Sequence, residues 1–72
     1  MKGAFRVGPV RLERIREQVK QIVVGCNELG DERTRQTATG ILKWVEQKGR
    51  MTHRQATTVD SMIEDISWKL VK

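Results

Sequence analysis

His53 is the only histidine of the chain and Cys26 the only cysteine. The two side chains best suited to proton transfer, nucleophilic attack or metal ligation near neutral pH therefore each stand alone. An activated nucleophile needs a base within hydrogen-bond reach and an electropositive, accessible setting. Cys26 falls instead on an apolar helical stripe, where a thiol packs as a small hydrophobe. His53 enters a helix with no Cys, Asp or Glu at ligand spacing. Glu13 with Glu17, and Glu64 with Asp65, are acidic pairs on polar faces, without the apolar surroundings that raise a carboxyl pKa for acid–base work. No phosphate loop, metal motif or dinucleotide fingerprint is present. The expectation is a chain that is not an enzyme, with no catalytic residue, no metal, no cofactor and no small-molecule substrate.

The chemistry that remains is charge. Fourteen basic side chains against nine acidic give a formal charge of +5, and the excess is uneven. Residues 1–20 carry six basic and two acidic groups, residues 21–50 five and four, and residues 51–72 three of each. Such asymmetry suits a polyanion or an acidic protein surface, or serves solubility alone. Lys2, Arg16, Lys20, Arg50 and Arg54 are candidate nucleic-acid contacts of the salt-sensitive, sequence-independent kind. Phe5, Arg6, Val7, Arg11 and Arg14 are candidate partner contacts. Phe5 is the only aromatic in that region, which makes a thin stacking platform. Trp68 is the further partner candidate, because it falls nearly opposite the apolar seam of its helix and exposed indoles are enriched at interface hot spots. Its other fate is to be covered by Phe5, Val7 or Val10 folding back. Trp44 flanks its own stripe, as core edge or contact surface.

Three amphipathic stretches must position these groups. Leu12, Ile15, Val19, Ile22, Cys26 and Leu29 recur at heptad spacing, with Val23 widening the seam. Gly25 interrupts that helix at a cost of about 1 kcal/mol relative to Ala, as a close helix crossing there would require. Ala38, Ile41, Leu42 and Val45 form a second stripe, which Asp31 caps. Ala56, Val59, Ile63, Ile66 and Leu70 form a third, with Met62 alongside. Gly30 and Gly49 sit where left-handed helix terminators belong. Thr52 and Gln55 have capping-box spacing, with Met51 and Ala56 as a hydrophobic staple. Before these, Gly3, Gly8 and Pro9 punctuate a segment in which Phe5 and Val7 alternate with Arg6 in strand fashion. The fold expected is all-α: a small antiparallel three-helix bundle with an extended basic N-terminal arm. The arm occupies residues 1–10 and the bundle residues 11–72, with helices at about 10–29, 32–48 and 53–70.

The longest apolar run is Ile22-Val23-Val24, too short to cross a membrane. No apolar h-region follows Lys2 and Arg6, and a lone cysteine favours a reducing compartment. A cytoplasmic protein is expected. A helix-turn-helix DNA reader is the alternative function, since the second and third helices meet at Gly49 and Thr52, His53, Arg54, Gln55, Thr57 and Thr58 stand where base edges are read. The usual motif places an aliphatic residue six positions after the turn glycine and a small residue four before it. Here those positions hold Gln55 and Val45.

Gly40 to Ile66, GILKWVEQKGRMTHRQATTVDSMIEDI, resembles a helical pattern common in phage-encoded proteins. In it an aliphatic-aromatic helix, a Lys-Gly-Arg turn, a Thr-x-x-Gln cap and a Val-rich helix follow one another. With the basic arm and small size, the chain resembles small phage-encoded regulators of host RNA polymerase, of the Xanthomonas-phage type that inhibits initiation and permits read-through of terminators. The resemblance implies a partner, the N-terminal region of the polymerase β′ subunit near the RNA exit channel. It also implies weakened engagement of the promoter-specificity factor, hindered terminator hairpins, and nascent RNA and host elongation factors close by. It assigns no residue roles; the site candidates above come from charge and pattern.

Overall fold

The computed structural model describes residues 4–71 of the chain. Its elements are β1 (Ala4–Arg6), α1 (Pro9–Leu29), α2 (Glu32–Lys48), β2 (Arg50–Thr52) and α3 (His53–Val71). The fold is all-α in its core, a compact three-helix bundle, with one small two-stranded sheet at one end.

Each helix boundary follows from a local cause. α1 begins with Pro9, whose fixed φ suits a first turn and whose missing N–H is one that a helix start cannot use. It ends where Gly30 takes a left-handed φ of 71°, which lets the Asp31 N–H donate to the Cys26 carbonyl at 2.9 Å. Asp31 then caps α2, accepting from the Thr34 hydroxyl at 2.7 Å and from the Thr34 N–H at 3.2 Å. Gly49, at φ 68°, stops α2 in the same left-handed way. At the start of α3 the Thr52 N–H donates to Gln55 Oε1 and the Gln55 N–H donates to Thr52 Oγ1, both at 3.0 Å. The reciprocal cap expected from the spacing is therefore present with both of its bonds.

The Thr34 hydroxyl, and secondarily its N–H, hold the Asp31 carboxyl below the usual carboxylate range. A group whose folded-state pKa is depressed contributes stability in full above its unfolded pKa and loses it as pH falls through the folded value. Asp31→Ala should therefore melt below wild type at neutral pH, and the two melting temperatures should converge as acid protonates Asp31. A gap of constant size through the acid titration would show that the cap does not act through the carboxylate.

Ile15, Val19, Ile22, Cys26, Ala38, Val45, Met51, Val59 and Ile66 form the core, with Leu12, Val23, Ile41, Leu42, Trp44, Ile63 and others packed around it. All three stripes thus converge, and Trp44 is core edge. Burial pushes the Cys26 thiol up, with Asp31 adding to the shift, so it stays a packed thiol. Leu29 and Leu70 lie on their stripes yet are 39% and 47% exposed, because both sit at helix ends.

The helix order follows from who meets whom. Ile15 and Val59 line one groove, Gln21 and Ile66 another, and Gly25 faces Ile66 and Leu70. α1 and α3 therefore run side by side in the same direction, and α2 returns along α1 with little contact to α3. The Arg16 Nε–Glu46 Oε2 pair, at 2.8 Å, ties the first half of α1 to the second half of α2.

β1 was not foreseen as part of a sheet. It pairs antiparallel with β2, in the register Ala4 with Thr52, Phe5 with Met51 and Arg6 with Arg50. The extended arm is thus tied down along the turn between α2 and α3, and its last two residues of the expected ten, Pro9 and Val10, already belong to α1.

A cationic ribbon end as the candidate binding surface

The two strands sort their side chains by face. In a strand, successive side chains point to opposite sides. Met51 is fully buried and Phe5 half-buried, so this pair faces the core, while Arg6 and Arg50 are exposed on the outer side. The Val7 N–H donates to the Gly49 carbonyl at 3.0 Å, which makes Val7 with Gly49, and hence Phe5 with Met51, the hydrogen-bonded pairs. Arg6 and Arg50 are then a non-hydrogen-bonded pair, where opposing side chains stand closest. Two like charges in that position destabilise a sheet.

Further cations gather at the same end. The Arg11 guanidinium lies over the Phe5 ring, 5.1 Å from its centroid, a cation–π contact that fixes the start of α1 against β1. The His53 ring flanks Phe5 from the other element, with centroids 5.3 Å apart and planes tilted by 51°. Arg14 lies one turn beyond Arg11 and lines with it a groove shared with Phe5, Met51, Ala56 and Asp60. Arg54 is exposed in the first turn of α3. Among the described residues, the basic members of ion pairs are Arg16, Arg35 and Lys69. Arg6, Arg11, Arg14, Arg50 and Arg54 have no carboxylate of the described residues within ion-pair distance.

Of the sequence candidates, Phe5, Arg6, Val7, Arg11 and Arg14 are brought together at this end with Arg50 and Arg54. Arg16 is drawn away, held by Glu46 and by Glu13 at 3.5 Å, and both carboxylates favour its charged form. Lys20 is exposed midway along α1. Lys2 lies outside the described residues. Trp68 is 68% exposed, roughly 22 Å along α3 from His53 at 1.5 Å per residue. Phe5 is engaged at the His53 end and Val10 is itself exposed, so neither covers the indole. Sequence reasoning missed Val10, which is 85% exposed on the first turn of α1. Its signal was its position, two residues before the first stripe begins.

The helix-turn-helix geometry is altered by β2. A strand paired to β1 stands between α2 and α3, and Thr52 and Gln55 are occupied with one another. Among the described residues no helix is long and apolar enough to cross a membrane, and no group of His, Cys, Asp and Glu is placed to hold a metal ion.

The class defined by fold and surface is a small three-helix bundle whose N-terminal strand completes a ribbon bearing unpaired arginines. No family model matches the chain, and no curated protein or solved structure is significantly similar to it.

Proposed function

We propose that this chain is a non-enzymatic, phage-type transcription regulator that binds host RNA polymerase in the host cytoplasm. It docks on the N-terminal region of β′, inhibiting initiation and promoting antitermination, with host elongation factors and nascent RNA nearby. One observation carries the need for a protein partner. A bundle this small leaves Val10 and Trp68 uncovered at its two ends, the first in a surface groove with Glu13, Arg14 and Glu17. Exposed apolar side chains rimmed by charged ones have the composition of an interface core and its rim. The choice of polymerase as that partner rests on the sequence resemblance from Gly40 to Ile66 together with the basic first third.

A pull-down from bacterial lysate with the tagged chain tests this. Polymerase should be enriched. Val10→Ser and Trp68→Ala, both at exposed positions and so without cost to the fold, should each weaken capture, Trp68→Ala by roughly 30-fold if the indole is a hot spot of about 2 kcal/mol. Recovery of a different host protein with no polymerase would remove the proposal.

A further inference from the structure

We infer that the ribbon end is a binding site for the phosphodiester backbone of single-stranded nucleic acid, held by Arg6 and Arg50 with Arg11, Arg14 and Arg54 flanking them. This goes beyond polymerase docking, because it is a property of the isolated chain.

The first ground is the cross-strand pair. Arg6 and Arg50 oppose each other at a non-hydrogen-bonded position, where like charges weaken the sheet that carries them. Among the described residues no carboxylate relieves them, although acids are spent on Arg16, Arg35 and Lys69 elsewhere. An anion seated between the two guanidinium groups would turn that repulsion into attraction.

The second ground is residue type. All five cations are arginine, whose planar fork matches phosphate oxygens two at a time and is weakly hydrated for a cation. The third is their layout. Arg6 and Arg50 occupy the outer face of the ribbon, Arg11 and Arg14 two successive turns of α1 on the Phe5 side, and Arg54 the first turn of α3. A chain of regularly repeated charges engages such a spread more fully than one compact anion does. Asp60, in the groove with Arg11 and Arg14, marks the side from which a polyanion is turned away. Phe5 has Arg11 over its ring and His53 on its flank, so bases have no open platform. Recognition is of backbone and not of sequence.

The test is fluorescence anisotropy of labelled single-stranded oligonucleotides of roughly 16 nucleotides, one RNA and one DNA, titrated with the intact chain between about 50 and 200 mM salt. Log affinity should fall linearly with log salt for at least one of them, and the tighter of the two identifies the natural strand. Arg6→Gln/Arg50→Gln should reduce the slope by about 1.4 and the low-salt affinity on the order of tenfold, as two lost phosphate contacts on a single strand require. Its melting temperature should equal or exceed that of wild type, since the opposed charges are gone. Should that variant unfold, Arg14→Gln/Arg54→Gln, at two exposed helix positions, reads the same slope.

Arg33→Gln/Lys43→Gln removes the same charge from α2 and should leave slope and affinity near wild type. An equal loss in this control would assign the binding to net charge and overturn the site. So would the lack of any anisotropy change at low salt with both strands. A polyglutamate peptide of matched charge that competes as well as RNA would make the ligand an acidic protein segment instead.

Discussion

Gly25→Ala should lower the melting temperature by about 8–16 °C, as expected for a loss of roughly 2 kcal/mol in a domain of this size. In an exposed helix the same change would stabilise by about 1 kcal/mol, because alanine is the better helix former. Here the added Cβ would lie 2.2 Å from Ile66 Cγ2, with Ile66 Cβ and Leu70 Cδ1 both at 3.5 Å. Ile66 is itself buried, and its branched side chain has little rotamer freedom on a helix. The clash is relieved only by parting α1 from α3, and overpacking of this sort costs about 1–3 kcal/mol. A double-mutant cycle separates the cause from a general weakness of α1. Ile66→Ala removes the clashing methyl, so Gly25→Ala should cost much less in that background, and the coupling should be favourable. A Gly25→Ala chain that melts above wild type would show that the two helices do not meet this closely.

The second large effect is expected for Phe5→Ala. Phe5 is half-buried against Met51, accepts Arg11 over its ring and is flanked by His53. Removing a fully buried Phe costs about 3–5 kcal/mol. Roughly 2 kcal/mol is therefore expected here, or a further drop of about 8–16 °C in melting temperature. The loss should also be local. The Val7 N–H, bonded to the Gly49 carbonyl, should exchange with solvent much faster in the variant. Amides in the middle of α1 should keep the protection set by global unfolding. Unchanged melting and unchanged exchange at Val7 would mean that β1 does not stay on the bundle in solution.

The helices were legible because their signals are local. Gly30 and Gly49 announce their left-handed turns by residue type. Thr52 and Gln55 announce their reciprocal cap by spacing, and the close crossing at Gly25 follows from a glycine placed on an apolar seam. Three convergent stripes then leave few arrangements other than a bundle. The ribbon was not legible for a matching reason. Phe5 and Val7 show the alternation of a strand, but Arg50–Thr52 is too short to show a period, and the partner of Phe5 is Met51, far away in the chain and already explained as a helix staple. The same blindness hid the site. Arg6 and Arg50 carry no common motif, and only the register of β1 on β2 puts them face to face. Arg16 illustrates the converse. Composition counts it with the other basic residues of the first third, while Glu46 on the neighbouring helix takes it out of circulation.

The pairing of β1 with β2 also orders events in time. Its contacts join positions 4–6 to positions 50–52, as distant in the chain as the contacts of α1 with α3, whereas α1 and α2 are joined by a turn of two residues. Local contacts form quickly and distant ones late, so the helical hairpin of α1 and α2 should be in place before the first strand finds its mate. The arginine pair comes into being only at that later closure. A nascent or truncated chain stopping short of position 50 would possess helices and charge, yet have no ribbon with which to grip anything.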